Sequence, residues 1–443
     1  MAEGRQPWKL DGAAERIERF RKGTAKLQFV LPDGSEPNNA LQVDIELKKH
    51  DFLFGVSMSQ SWALFELPHF ERYRHYIGEL FNGVTLGFFW NAMEWKRGQL
   101  RSVVHTESNL KWAKSRGMTL KGMPLLWHNA LPKWLDHIND PDEVDRLIAD
   151  RIRHLVKTYP DINMWGAYNE AVGALKPHMK DNAVIRWLTG KGGPAAAQVW
   201  VLKTAQATVS GKRYINNHYD HKDPAFKKLN HELIANDAQF DAIGIQTHMH
   251  TQAKMLNERQ LWDLLEEYAD FGKPLQLTEV TVLSSEPFES WRDLGLHYRA
   301  IKKAQLKERP AMARPSTLEL EHYQESYIKD FYTLSFSHPA VEAIIYWSVS
   351  DLNEWRGSAG GLLDVEHNPK PAYYALKSLI KDVWHTKVKS RTDKGGKLIF
   401  RGFFGEYLGT ATMGDLKFTF GLIHSPDHKG IYNIQLSQES QGL

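Results

Sequence analysis

The middle of the chain alternates short apolar segments with longer segments in which apolar residues recur at helical spacing. Eight short apolar runs fit buried strands, and a helical pattern follows each of them. The third helix is the clearest, because Pro141 suits a first helical position and one apolar stripe continues until Pro160. The seventh helix is predicted over 319–338. The eight predicted strands cover 52–56, 83–86, 120–126, 163–168, 213–216, 242–246, 275–278 and 343–347.

This repeated strand–helix pattern predicts an α/β protein with a closed parallel sheet, a (β/α)8 TIM barrel. The main alternative is an open, doubly wound sheet. That fold usually carries a glycine-rich phosphate-binding loop after its first strand, and the segment "FGVSMSQSW" has no such pattern. We therefore favour the closed barrel.

The two ends of the chain have a different pattern. Residues 24–50 alternate apolar and polar positions around an Asp33-Gly34 turn, which predicts a hairpin-like β unit. Residues 385–437 contain short aromatic and β-branched runs separated by glycine-rich turns. Because neither block is large enough for its own core, we predict one small β-sandwich-like module made from both. The predicted division is 24–50 and 383–443 for this module and 51–382 for the catalytic barrel.

Composition excludes several classes of function. The net charge of +3, from 56 basic and 53 acidic side chains, gives no electrostatic case for a nucleic-acid or membrane partner. The absence of cysteine excludes disulfides, thiolate metal sites and a cysteine nucleophile. The first eleven residues lack the apolar core of a secretory signal, so we expect a cytoplasmic protein or a secreted one whose signal was removed. The sequence does not indicate an oligomeric state.

Polar and aromatic residues follow most of the predicted strands, where barrel enzymes place their active sites. The chain is also rich in tryptophan, with 15 residues, and flat rings stack on the apolar faces of sugars. We therefore predict an oligo- or polysaccharide site without a cofactor. The candidate residues are Asn91, Trp127, His128, Asn169, Glu170, Asn216, Gln246, His248, Glu279, Trp347 and Trp355.

Two of these candidates are carboxylates that suit cleavage of a glycosidic bond. Glu170 and Glu279 follow strands four and seven, which face each other across an eight-stranded barrel. One group must protonate the leaving oxygen while the other attacks the anomeric carbon, and a separation of about 5–5.5 Å gives retention of configuration. Asn169 is placed to bind a sugar 2-hydroxyl, and His248 to hydrogen-bond Glu279 and keep it ionised.

Over residues 52–380 the chain resembles glycoside hydrolase family 10, the endo-β-1,4-xylanases. The segments that carry the resemblance include "FNGVT", "PLLWHNALPKW", "WGAYNEA", "GIQTHMH", "LQLTEVTV" and "YWSVSDLNEWR". The resemblance implies a (β/α)8 barrel that hydrolyses β-linked, xylan-like glycosides with retention and without a metal. It implies Glu170 as acid/base and Glu279 as nucleophile. The implied sugar contacts are Trp127, Asn169, Gln246, His248, Trp347 and Trp355.

Three positions depart from the family pattern. Met123 replaces a histidine, Glu94 stands in the position of a lysine, and Thr281 replaces an aspartate. The first two changes affect contacts to the sugar, and a lysine-to-glutamate change exchanges a donor for an acceptor. We therefore expect the reaction type to be retained and ordinary xylan to be bound poorly.

Two alternative functions stay open from the residues alone. His248 and His250 lie two apart on a strand and could bind a metal together with His218 or Asp220, as in a metal-dependent hydrolase. The chain could also be a non-catalytic carbohydrate-binding protein on a glycosidase barrel, although the intact glutamate pair argues against this.

Overall fold

The computed structural model describes residues 6, 8–59, 61, 64–101, 103–220, 222–305, 314–352 and 354–438, with residues 300–305 as backbone only. The strands are β1 (Lys22–Val30), β2 (Gln42–His50), β3 (Leu53–Ser57), β4 (Gly83–Gly87), β5 (Thr119–Met123), β6 (Met164–Gly166), β7 (Arg213–His218), β8 (Ala242–Ile245), β9 (His248–Met249), β10 (Leu275–Val282), β11 (Val341–Tyr346), β12 (Lys387–Arg391), β13 (Lys397–Phe403), β14 (Gly405–Met413), β15 (Leu416–His424), β16 (Ile431–Gln435) and β17 (Ser437–Gln438).

The helices provide the outer layer of the barrel and several of its connections. They are α1 (Ala13–Phe20), α2 (Phe70–Leu80), α3 (Trp90–Met93), α4 (Val104–Ser115), α5 (Pro141–Thr158), α6 (Ala183–Gly190), α7 (Pro194–Gln206), α8 (Pro224–Ala235), α9 (Glu258–Ala269), α10 (Trp291–Gln305), α11 (Leu318–Ser337) and α12 (Pro371–Ser378). In the part of the chain that the structure describes, no helix combines the length and apolar character needed to cross a bilayer.

The predicted closed barrel is confirmed. Among the described strands, eight parallel ones run in the order β3-β4-β5-β6-β7-β8-β10-β11, and β11 pairs with β3 to close the sheet. The short strand β9 adds to the end of β10, where Thr281 pairs with His248. Each predicted strand overlaps one of the eight, since buried parallel strands form continuous apolar runs that stand out in the sequence.

The barrel interior explains which side chains reach the rim. Leu53, Met164, Ile215, Ala242, Ala343 and Ile345 form a small apolar cluster. Because strand residues alternate between faces, a step of two from Ile215 places Asn217 on the interior side, and a step from Ile345 places Trp347 there. On these strands the inward-facing residues are apolar in the middle of the barrel, and the next inward-facing residues, at the carboxyl ends, are polar or aromatic.

Helix α5 matches its predicted limits closely. Pro141 is its first residue, and the side chain of Asp140 accepts a hydrogen bond from the backbone N–H of Asp142. Helix α11 confirms the helix predicted over 319–338. Helices α1, α3, α6 and α10 were not predicted.

The ends of the chain form the predicted β module, but one detail of the prediction is wrong. Strand β1 pairs antiparallel with β13 and parallel with β16, whereas β2 lies between β12 and β14 in a second sheet. The two strands therefore do not form a hairpin. Their connection, residues 31–41, contains two prolines and crosses from one sheet to the other. The sheets pack face to face, with the rings of Phe29 and Phe420 5.0 Å apart.

The module packs near the amino-terminal ends of the barrel strands. An aromatic cluster joins the two parts and consists of His50, Phe52, Phe54, Phe336, Trp384 and Phe403. Phe54 lies on β3, Phe336 on α11 and Phe403 on β13. The opposite end of the barrel, where the candidate residues lie, is left open.

Candidate active site

A cavity of about 760 Å³ lies at the carboxyl ends of the barrel strands. Its walls come from the strand ends and from the loops that follow them, as expected for a barrel enzyme. Most of the predicted site residues line it together: Trp127, His128, Asn169, Glu170, Gln246, His248, Glu279, Trp347 and Trp355.

Glu170 lies four residues beyond the end of β6 and has a left-handed backbone, with φ 57° and ψ 36°. This conformation is uncommon for a residue with a side chain and is typical of functional sites. Its carboxylate accepts hydrogen bonds from Gln246 Nε2 at 2.9 Å and from Trp127 Nε1 at 3.2 Å. Its backbone N–H donates to the carbonyl of Asn217. These contacts fix the carboxylate at the cavity wall.

Glu279 lies within β10 and is only 4% exposed. Asn217 Nδ2 donates to its Oε1 at 3.0 Å, and His248 Nε2 lies 3.1 Å from its Oε2. The backbone N–H of Glu279 donates to the carbonyl of Gln246. Asn217 and Gln246 therefore each bond the carboxylate of one glutamate and the backbone N–H of the other, which holds the two residues in one network.

The surroundings of Glu279 have opposing effects on its ionisation. Burial raises the pKa of Glu279 well above its usual value, and the charge of Glu170 raises it further. The N–H of Asn217 and the charge of Lys121 act in the opposite direction. Lys121 is buried in the barrel interior, where its Nζ donates to Gln276 Oε1 at 3.0 Å and burial lowers its pKa to about 8. The net effect of these surroundings is a raised pKa for Glu279.

His248 is uncharged in this environment. Burial lowers the pKa of His248 well below its usual value, and the charges of His250 and Arg356 add to this effect. Its other ring nitrogen, Nδ1, lies 3.1 Å from Thr281 Oγ1. A neutral imidazole has a single N–H, so its position decides which neighbour receives a hydrogen bond.

Aromatic rings cover two sides of the cavity. Phe89 and Trp127 lie on one side, with ring centroids 5.9 Å apart. On the other side the Trp355 ring lies 4.9 Å from His248, and the Arg356 guanidinium lies 3.8 Å above the Trp355 ring. Flat apolar surfaces beside a few fixed polar groups suit the binding of a sugar chain.

Two predicted residues lie outside this cavity lining. Asn91 is exposed on the short helix α3. Asn216 is buried on the outer side of β7, where its Nδ2 donates to Asn230 Oδ1 of α8 at 2.8 Å. The neighbouring residue, Asn217, contacts the carboxylates instead. The two-residue period of the strand, counted from Ile215, is the signal that would have identified it.

Several further residues line the cavity that were not among the predicted candidates. Phe89 follows β4, Tyr219 follows β7, and Trp291 and Tyr298 lie on the unpredicted helix α10. Arg356 follows a predicted contact, Trp355, in sequence. These residues complete the cavity walls.

The three departures from the family pattern have distinct positions. Met123 lines the cavity, whereas Glu94 does not belong to the lining residues. The Glu94 carboxylate accepts hydrogen bonds from Trp90 Nε1 and from the backbone N–H of Gly98, both at 2.8 Å, and so stabilises the loop after β4. Thr281 contacts His248.

The two histidines of the metal hypothesis each contact a different carboxylate. His248 contacts Glu279, and His250 Nε2 lies 3.1 Å from Glu354 Oε1. Across the described residues, no group of three or more His, Asp or Glu side chains is arranged to hold a metal ion. No contact in this region favours the metal hypothesis over a hydrogen-bonded network.

A (β/α)8 barrel whose aromatic cavity holds a linked pair of glutamates defines the chain as a barrel-type glycoside hydrolase. The sequence model of glycosyl hydrolase family 10 matches residues 45–379, and the chain belongs to that family. The predicted resemblance is thus confirmed, and the enzyme is a glycoside hydrolase similar to endo-1,4-β-xylanases.

Three similar proteins share 20–25% sequence identity with this chain. Endo-1,4-beta-xylanase B of Thermotoga neapolitana is 23% identical over 73% of this chain and 87% of its own length. The thermostable celloxylanase of Thermoclostridium stercorarium is 25% identical over 62% of this chain and 75% of its own. Xylanase 10B of Thermotoga petrophila, solved with xylobiose, is similar with a TM-score of 0.59 and 20% identity over 75% of this chain and 95% of that one. This structural likeness shows the fold.

Proposed function

We propose that this protein hydrolyses β-linked, xylan-like glycosides with retention of configuration, with Glu279 as nucleophile and Glu170 as general acid/base. The observation that carries the proposal is the network in which Asn217 and Gln246 each contact both glutamates. Because this network holds both carboxylates in one cavity, they can act on the same anomeric carbon.

The first chemical step needs one protonated and one ionised carboxylate. The Glu170 O–H gives its proton to the glycosidic oxygen, the bond from that oxygen to the anomeric carbon breaks, and a Glu279 oxygen forms an ester with the carbon. In the second step Glu170 takes a proton from water. The resulting hydroxide oxygen bonds to the anomeric carbon, and Glu279 leaves as a carboxylate.

Because the pKa of Glu279 is raised, we infer that substrate binding helps to move the proton from Glu279 to Glu170 before the first step. In the empty cavity burial favours the protonated form of Glu279. A glycosidic oxygen accepts a hydrogen bond from Glu170 only when Glu170 holds a proton, so bound substrate favours the proton on Glu170. The N–H groups of Asn217 and His248 then stabilise the ionised nucleophile.

The proposed substrate is a β-linked oligo- or polysaccharide of the xylan type. The named activities of the relatives and the xylobiose bound to the Thermotoga petrophila enzyme support this choice. Met123 lines the cavity and has only a weak thioether acceptor, so it cannot donate a hydrogen bond to a sugar hydroxyl. A product analysis on xylans, β-glucans and aryl glycosides tests whether ordinary xylan is a poor substrate.

Azide separates the two glutamate roles. We expect Glu279→Ala to lose about 10⁴-fold or more in kcat. With azide it should form an α-glycosyl azide, because azide attacks the anomeric carbon from the side where the Glu279 carboxylate has been removed. We expect Glu170→Ala to retain activity best on aryl glycosides with good leaving groups and to form a β-glycosyl azide. The products are identified by NMR.

Glu406→Ala, an exposed glutamate of the β module, is the matched control and should have wild-type turnover. Wild-type turnover in Glu279→Ala, or azide products of the opposite configuration, contradicts the assigned roles.

A further inference from the structure

Thr281 is a buried hydroxyl directly beside the catalytic network. It lies two residues after Glu279 on β10 and is fully buried. Its Oγ1 lies 3.1 Å from Nδ1 of His248, and the backbones of Thr281 and His248 pair in the short β9–β10 ladder. The backbone carbonyl of Glu279 is 3.4 Å from the same Oγ1.

His248 has one N–H to share between two neighbours. If the proton lies on Nε2, the ring donates to Oε2 of Glu279 and its Nδ1 needs a donor. If the proton lies on Nδ1, the lone pair of Nε2 faces the Glu279 carboxylate, and the two repel each other when Glu279 is ionised. The ionised nucleophile therefore needs the Nε2–H form.

The Thr281 hydroxyl can supply the donor that this form needs, because its Oγ1 lies 3.1 Å from Nδ1 and farther, 3.4 Å, from the other available acceptor, the Glu279 carbonyl. When the Thr281 O–H donates to Nδ1, the ring proton must be on Nε2. A carboxylate at position 281 could only accept, which would hold a proton on Nδ1. His248 could then donate to Glu279 only as a charged imidazolium, and its buried position disfavours that charge.

We propose that Thr281 is a positioning residue for the nucleophile. Its hydroxyl donates to Nδ1 of His248, fixes the ring proton on Nε2, and so keeps an uncharged N–H donor on Oε2 of Glu279. The proposal rests on the proposed role of Glu279 as nucleophile. It gives Thr281 an effect on the glycosylation step without any contact to the sugar.

The test compares Thr281→Val, which keeps the shape and removes the hydroxyl, with Thr281→Ser, which keeps the hydroxyl. The ring nitrogens of His248 are observed by ¹⁵N NMR and assigned with a His248→Gln variant. We expect the Nε2–H form in the wild type and in Thr281→Ser, and a mixture of both tautomers in Thr281→Val. We expect Thr281→Val to lower kcat on an aryl glycoside by about 10- to 100-fold, the usual effect of a lost hydrogen bond to a charged group. Thr281→Ser should stay within about threefold of the wild type.

Two results overturn the proposal: an Nδ1–H ring in the folded wild type at the alkaline end of a pH titration in which Glu279 ionises, or equal losses of kcat in Thr281→Ser and Thr281→Val. The tautomer is measured without turnover, so this readout does not depend on which glutamate attacks. If the azide products contradict Glu279 as nucleophile while the tautomer result holds, the proposed function fails and the hydrogen-bond assignment stands.

Discussion

At the scale of single residues, Glu279, the proposed nucleophile, is held by contacts that offset only part of the free-energy cost of its burial. Glu279 accepts a hydrogen bond from Asn217, lies 3.1 Å from a ring nitrogen of His248 and is near the charge of Lys121, yet the net effect of its surroundings raises its pKa. Keeping a carboxylate ready for ionisation in this place therefore costs folding free energy. A neutral side chain of the same shape should relieve the cost.

We predict that Glu279→Gln increases the free energy of unfolding at pH 7. The pKa of Glu279 is higher in the folded than in the unfolded protein. The wild-type protein therefore loses stability as the pH rises from the unfolded pKa towards the folded pKa, because the unfolded chain releases this proton first. We expect a gain in stability that denaturant unfolding resolves, because the neutral amide does not have to be buried as a charged group. The gain should disappear below about pH 4, where the carboxyl is protonated in both states.

Denaturant unfolding at several pH values measures this difference. Glu406→Gln, at an exposed position 3.7 Å from Lys49, serves as the control and should change stability little at any pH. A Glu279→Gln protein that is less stable than the wild type at pH 7 contradicts the prediction.

At the scale of elements, the barrel strands determine which amide reaches Glu279, the proposed nucleophile. Asn217 faces the interior of β7, and the neighbouring strand β8 has a glycine, Gly244, beside it. A Cβ atom at Gly244 would lie 2.6 Å from Asn217 Oδ1 and 3.0 Å from a methyl group of Thr278. The absence of a side chain on β8 thus makes room for the amide that holds Glu279.

We predict that Gly244→Ala displaces Asn217 and lowers kcat by about tenfold or more, since the displaced amide no longer donates to Glu279. The extra carbon should also reduce the free energy of unfolding by about 1–3 kcal/mol. Gly190→Ala at the end of α6 is the control, because a Cβ there meets no atom within 4 Å. Steady-state kinetics at a temperature where both variants are folded measures the effect. An unchanged kcat in Gly244→Ala contradicts it.

The same strands show what could be predicted from sequence. Apolar runs identified the eight barrel strands, because parallel strands are buried on both faces, and the strand ends then indicated Glu170 and Glu279. Asn216 was predicted instead of Asn217 because adjacent strand residues face opposite sides of the sheet, and two neighbouring asparagines do not show which of them faces the interior. Helix α10, which contributes Trp291 and Tyr298, is an additional helix in the long connection after β10. The helix expected between two barrel strands at this point is α11.

The module was predicted as a unit, but its sheet order was not. Local alternation and a turn suggested a hairpin for residues 24–50, yet β1 and β2 each pair with strands from the far end of the chain. Such pairings join residues that are far apart in the sequence. Leu41 and Thr392, for example, form a hydrogen bond at a sequence separation of 351. Local pattern carries no information about them.

At the scale of the whole molecule, the β module and the barrel share one core. Buried residues of both parts belong to a single apolar cluster. Phe403 on β13 is 1% exposed and its ring lies 5.3 Å from His50 and 6.1 Å from Phe336 of α11. Next to it, Trp384 stacks on Phe54 of β3, with ring centroids 5.6 Å apart. The boundary predicted near residue 383 therefore runs through packed aromatic side chains.

This shared core predicts that module and barrel unfold together. We expect one calorimetric transition for the wild type, because neither part keeps its aromatic contacts when the other unfolds. Phe403→Ala should reduce the free energy of unfolding by about 3–5 kcal/mol and keep a single transition at lower temperature. Ile399→Ala, on the same strand but 65% exposed, should have little effect. Two separate transitions in the wild type, with only the first shifted by Phe403→Ala, would contradict this prediction. They would show that the module unfolds before the barrel and that the barrel stays folded without the module.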